Sequence, residues 1–195
     1  MHRDYQMWHD REHLLRLDNP DREQIMPKPP VLEAVNATLG MRVADIGAGL
    51  GYFALPLAVA VGRAGVVLAV DPGPAAREDL THRAQNAGLS QVEVISGSAE
   101  ETGLDSNSVD RALWHTMYHE VQHRPKAINE MLRILREGGR WVVVDWKKEL
   151  TDFGPPAEHR FTADEVVDEV RPYGFREVLR FAPGPVTWGL VFEKP

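Results

Sequence analysis

Residues 41–52 read MRVADIGAGLGY, an apolar, β-branched run that carries Asp45 and then breaks into glycines at 47, 49 and 51. Glycine lets a backbone turn tightly and lets a ligand approach the bare peptide. The apolar stretch 53–61 follows at once, so the free N–H groups of a helix N-terminus would favour an electron-rich partner here. A second acid, Asp71, ends the apolar run 66–70, where a carboxylate can accept both hydroxyls of a ribose. A competing chemistry is spelled by His119-Glu120-Val121-Gln122-His123, the H-E-x-x-H of zinc proteases, with His115 extending the four-residue spacing. That motif works inside a helix, where two imidazoles share a face and the glutamate activates metal-bound water. Here a strand is expected to end at about Trp114, and Pro125 is better placed to open a helix than to continue one. The histidines are therefore expected on a loop, and no metal site is assigned.

The elements that must position these residues alternate. Helices are expected over 31–38, 53–61, 75–87, 125–136 and 163–173. Strands are expected at the start of the glycine motif and over 66–70, 92–95, 109–114 and 141–144. Thr162 is expected to cap the last helix with Glu165 in capping-box position. The runs 175–181 and 186–192, separated by Ala182-Pro183-Gly184-Pro185, should pair antiparallel. Alternation of strand and helix implies a parallel sheet covered on both faces. Right-handed crossovers then bring the loops after the strands to one shared rim. Residues 1–30, amphipathic through Trp8, Leu14, Leu15 and Leu17 and then rich in proline, are expected as an extension whose 5–17 stretch folds over that rim as a lid. Residues 31–195 are expected as a single domain.

Composition narrows the classes. The 195 residues are 43% hydrophobic and 26% charged, which suits one core. No cysteine is present, which excludes disulfides, thiolate metal sites and a cysteine nucleophile. A net charge of −7 speaks against a duplex-binding protein, and no nucleic acid partner is expected. The N-terminus lacks the apolar run of a secretory signal, and no segment is apolar enough to span a bilayer. The expected setting is the cytoplasm.

The glycine spacing is G-x-G-x-G, and Tyr52 stands where a dinucleotide fingerprint would place its third glycine. An NAD-dependent oxidoreductase is thereby disfavoured. VADIGAGLG, VVLAVDP, ISGSAE, SVDRALWHTMYHEV and LREGGRWVVVD occur in the order of the motifs of class I S-adenosylmethionine-dependent methyltransferases. Over roughly residues 30–195 the chain resembles that family, and within it the small single-domain members similar to quinone-biosynthesis methyltransferases. The resemblance implies a Rossmann-like, doubly wound α/β sheet of seven strands, mostly parallel with an antiparallel last strand.

It also implies S-adenosyl-L-methionine as cofactor and S-adenosyl-L-homocysteine as product. Gly47, Gly49 and Gly51 would face its methionine part, Asp45 its amino group, and Asp71, followed by Pro72, its ribose. Ala99 would offer adenine a backbone contact, and Ser98 stands where many relatives have aspartate. His115 would lie beside the cofactor.

The candidate catalytic groups are His115, His119 and Glu120, with Tyr118 as an orienting group. Asp145, Trp146 and Lys147 face the same crevice by topology, and Trp146 or Trp8 could stack on a planar or cationic substrate. Lys147, Lys148, His159 and Arg160 could hold an anionic group. With no large insertion to enclose a bulky acceptor, a small molecule, a mobile lid or a second subunit in a homodimer is expected to complete the site. A cofactor-binding protein without catalysis is the alternative, and a zinc hydrolase the remote one. Arsenic methylation through thiolate capture is excluded by the missing cysteines.

Overall fold

The computed structural model describes residues 22–149 and 154–195. The proposed lid at 5–17, Trp8 within it, and part of the loop after Trp146 lie outside the described residues. Among the described residues two short helices come first, α1 (Arg22–Ile25) and α2 (Lys28–Val35). The alternating unit follows: β1 (Arg42–Ile46), α3 (Ala54–Val61), β2 (Val66–Asp71), α4 (Pro74–Asn86) and β3 (Val92–Ser96). Then come β4 (Val109–His115), α5 (Arg124–Ile134), β5 (Leu135–Trp146) and α6 (Ala163–Val170). A terminal hairpin, β6 (Arg176–Gly184) and β7 (Thr187–Glu193), closes the chain.

The strands form one seven-stranded sheet in the order β3-β2-β1-β4-β5-β7-β6. The pairings among β1 to β5 are parallel, and β7 runs antiparallel to both β5 and β6. The antiparallel last strand is thus as expected. Successive side chains in each strand enter opposite layers. Val43, Val67, Leu113 and Val142 pack with Val35, Leu57 and Leu80 of α2, α3 and α4. Ala44, Leu68, Ala112 and Val143 pack on the other face with Ile128, Met131 and Val166 of α5 and α6. Because β1 sends its connection to β2 on one side while β4 lies on the other, the loops after β1 and β4 part at the centre of the rim. A crevice at such a switch point is where open α/β sheets take ligands.

Three elements depart from the sequence expectation. Helix α2 begins at Lys28, so Pro29 and Pro30 sit in its first turn, where their missing N–H groups cost nothing. Strand β5 begins immediately after α5, at Leu135. Its pairing with β4 jumps from Leu135 opposite Val109 to Arg140 opposite Arg111, so 136–139 bulge out around Gly138, whose φ is 68°. The last helix stops at Val170, and Arg171–Tyr173 continue as a 3-10 turn because Pro172 cannot donate to the α ladder. Among the described residues, no helix is long and apolar enough to cross a membrane.

The capping box on α6 is present in both directions. Glu165 N–H donates to Thr162 Oγ1 at 3.2 Å, and Thr162 N–H donates to the Glu165 carboxylate at 2.7 Å. Thr162→Ala is expected to cost about 1 kcal/mol of unfolding free energy, read by urea titration.

Candidate active site

The strand β1 holds Asp45 in its interior, 3% exposed, between Ala69 of β2 and Leu113 of β4. The glycine loop then turns through left-handed backbone, with φ of 75° at Gly47, 51° at Gly49 and 87° at Gly51. At Gly51 a Cβ would also lie 2.3 Å from Leu80 of α4, so the loop sits as close to that helix as a bare backbone permits. Asp71, at the end of β2, ties this loop down. Its Oδ2 accepts Gly49 N–H at 2.8 Å, and its Oδ1 accepts Gly73 N–H, just past Pro72, at 2.8 Å. Burial raises the Asp71 carboxyl, and the two peptide donors oppose that rise. Burial, reinforced by the charge of Asp71, lifts Asp45 to about 7, although the Ala54 backbone N–H opposes it.

On the other side of the switch point, β4 delivers His115, 8% exposed, against the ring of Phe53 at 4.5 Å and that of Tyr52 at 6.3 Å. Burial and then the nearby Arg22 charge hold its pKa well below 6.5, so it is a neutral imidazole at pH 7. Thr116 follows at φ 53°, uncommon for a β-branched residue, with its N–H on Val144 O at 2.7 Å. That turn carries Met117 over Gly47, whose added Cβ would meet the Met117 sulfur at 3.2 Å.

His119 has the opposite environment. Its Nδ1 donates to Asp145 Oδ1 at 2.8 Å, and its Nε2 lies 3.3 Å from Glu120 Oε1. Its own N–H and that of Trp146 also reach the Asp145 carboxylate, at 3.2 and 2.7 Å. Burial alone would depress His119, but Asp145, with Glu120 beside it, raises the pKa to about 9. The imidazolium is therefore clamped between two acids.

The H-E-x-x-H stretch does not form a helical face. Tyr118–Glu120 make one 3-10 turn, Val121 is extended at ψ 121°, and His123 precedes α5. Among the described residues, no three His, Asp or Glu side chains gather as a metal-holding group.

The structure also redistributes the residues after β5. Trp146 is 8% exposed, with the Cβ position of Gly154 within 2.6 Å of its indole, so its ring is covered rather than offered for stacking. Lys147 Nζ donates to Pro185 O, Lys148 Nζ to Glu165, and Arg160 to the carbonyls of Pro155, Lys147 and Glu149. These cations brace the chain itself, so the expected anion grip is not assembled. Tyr118, fully buried, donates to Glu169 of α6 at 2.8 Å, away from a role in the crevice. Ser98 and Ala99 lie on the loop after β3, with Ala99 5% exposed.

Sequence reasoning did not single out Phe53, Met117 or Arg22 as part of the site. It placed Asp145 by topology alone. The signal for Asp145 was the acid that ends an apolar strand, VVVD, as Asp71 ends VVLAVD.

The family model described as a methyltransferase domain matches residues 44–143, just over half of the 195-residue chain. An uncharacterized methyltransferase of Mycobacterium tuberculosis is 36% identical over 149 residues, 70% of this chain and 58% of its own length. A ubiquinone/menaquinone biosynthesis C-methyltransferase of Pseudomonas putida is 29% identical over 118 residues, 60% of this chain and 46% of its own length. The chain thus spans less than two thirds of either curated relative. The crystal structure of a SAM-dependent methyltransferase from Aquifex aeolicus is similar at a TM-score of 0.89 and 27% identity, covering 95% of this chain and 99% of that one. The chain therefore belongs to the methyltransferase-domain family, among the class I S-adenosylmethionine-dependent methyltransferases.

Proposed function

We propose that the protein transfers a methyl group from S-adenosylmethionine to a small-molecule acceptor by in-line displacement at the crevice between the loops after β1 and β4. The observation that carries this reading is the bond from Gly49 N–H to Asp71 Oδ2 at 2.8 Å, which sets the glycine cradle beside the carboxylate suited to a ribose. The residues fit the cofactor: a bare backbone at Gly47 and Gly49, buried acids at Asp45 and Asp71, and the Ser98-Ala99 peptide on the adenine side. The bound cofactor supplies the electrophilic methyl group. The protein's part is to align the acceptor, exclude water and take a proton where the nucleophile carries one.

His115 is the group assigned to that proton, because it is neutral and lies on the glycine-loop side of the crevice. Both nitrogens of His119 are engaged by acids, so we assign His119 to holding Glu120 and the loop after β4 against β5. Glu120, whose side chain is 32% exposed, is then the group of that pair that could meet an acceptor. A small acceptor is favoured because the elements described between consecutive strands are short helices and turns, none of them of domain size.

Calorimetric titration with S-adenosylhomocysteine tests the cofactor. Micromolar binding is expected, and Asp71→Ala or Gly49→Val should abolish it in folded protein; a wild-type protein that does not bind would sink the reading. The acceptor is then sought with labelled methyl donor, and His115→Gln should lower kcat about 100-fold. S-adenosylhomocysteine affinity should move much less in that variant, and an unchanged kcat would remove His115 from the proton role.

Asp45 adds a pH signature. Its folded pKa near 7 exceeds the ordinary 3.8, so its ionisation costs stability progressively as pH rises from about 4 to about 7. Asp45→Asn is expected to stabilise the unliganded protein at pH 8 by on the order of 2 kcal/mol, to do little at pH 4, and to weaken S-adenosylhomocysteine binding. Equal stabilisation at both pH values would show that burial of this charge is not the cause.

A further inference from the structure

The loop 97–104, which carries Ser98 and Ala99, has little regular structure of its own. Its strand-like pairing is one isolated bridge. In it, Ser98 N–H donates to Glu101 O at 3.0 Å, and Glu101 N–H donates to Ser98 O at 3.3 Å. What fixes the loop lies on α5. Glu130, 9% exposed, accepts Thr102 N–H at 2.9 Å and the Thr102 hydroxyl at 2.6 Å through the same oxygen. Thr102 is fully buried, and its hydroxyl in turn accepts Leu104 N–H at 3.2 Å. Arg133, one turn along α5, donates to both Glu130 oxygens at 2.7 and 2.8 Å and to Leu104 O at 2.6 Å. Between Ala99 and Thr102, the Glu100 carboxylate accepts His123 N–H, at the start of α5, at 3.2 Å.

A buried carboxylate is an expensive way to fill space unless its bonds are needed, since an apolar residue would pack at lower desolvation cost. Burial opposes ionisation of Glu130, yet Arg133 and Thr102 bring its pKa to about 2, so it remains a fixed acceptor throughout the neutral range. The pinning reaches the ligand-facing turn through close backbone contact. A Cβ on Gly97 would stand 2.7 Å from Thr102 O and 2.9 Å from Glu101 O, and the two Ser98–Glu101 bonds tie the residue next to Thr102 to the 97–99 turn.

We propose that Glu130 and Thr102 are positioning residues for the adenine end of the cofactor. The loop they pin presents the Ser98 hydroxyl and the Ala99 peptide in one fixed place, so adenine is recognised by placed backbone where relatives often use an acidic side chain. The inference rests on the methyltransferase reading above. It adds that a side chain on α5, outside the crevice, sets base recognition within it.

The test is calorimetry at 25 °C on the full chain with S-adenosylhomocysteine and with S-inosylhomocysteine, whose base lacks the adenine amino group. Thr102→Val keeps volume and the N–H bond but removes the hydroxyl. It is expected to weaken S-adenosylhomocysteine binding about tenfold and to narrow the preference over the inosyl analogue. Thr102→Ser, which restores the hydroxyl, should return both to wild-type values. Glu130→Gln keeps an acceptor for Thr102 but sets an amide against Arg133, and is expected to weaken binding in the same direction. Thermal melts of each variant record the loss of stability separately. Wild-type affinity and preference in both Thr102→Val and Glu130→Gln, with only the melting temperature lowered, would overturn the proposal while leaving the cofactor reading intact. A wild-type protein that binds neither analogue would overturn both.

Discussion

Two carboxylates buried at the ends of adjacent parallel strands constrain everything around the crevice. Burial raises the cost of ionising both Asp45 and Asp71, and the Asp71 charge adds to that of Asp45. What makes the pair tolerable is backbone: Gly49 and Gly73 donate to Asp71, and Ala54 donates to Asp45. Those donors are available only because the chain after β1 turns through left-handed glycines and because β2 ends where it does. The loop geometry and the charge pattern are therefore one arrangement.

The two histidines of the β4 loop show how environment divides similar residues. His115 is buried against Phe53 with the Arg22 charge nearby and stays neutral. His119, four residues later, is held between Asp145 and Glu120 and stays charged. The first is held uncharged at neutral pH; the second ties the loop after β4 to the end of β5. The Thr116 turn, with its positive φ, separates the two environments.

Support for the crevice comes from outside it. On one flank, Tyr52 fixes the approach to α2 by donating to Met26 O at 2.8 Å, and Arg22 stacks 4.1 Å from the centre of its ring. On the other, α5 holds the loop after β3 through Glu130. Beyond β5, Arg160 gathers three carbonyls around Trp146. In each case a charged or phenolic side chain binds backbone, which fixes loops that lack a hydrogen-bonded ladder of their own.

Periodicity and punctuation were enough to read the alternating strands and helices, the parallel sheet, the terminal antiparallel hairpin and the Thr162 cap, because these depend on local spacing and on residues a few positions apart. The glycine cradle, Asp45 and Asp71 were legible for the same reason: each stands at a strand end that the sequence marks. Local spacing misled where tertiary pairing won, as at Leu135, where pairing with Val109 starts β5 ahead of its glycines. It also could not tell His115 from His119, or a free Arg160 from one spent on carbonyls. Those differences arise from contacts that only folding makes, such as Asp145 against His119, 26 positions away, and Glu169 against Tyr118, 51 positions away. Charge state and hydrogen-bond partners are properties of a packed environment, so the sequence determined which residues reach the rim, and only the tertiary structure decided which of them is left to do chemistry there.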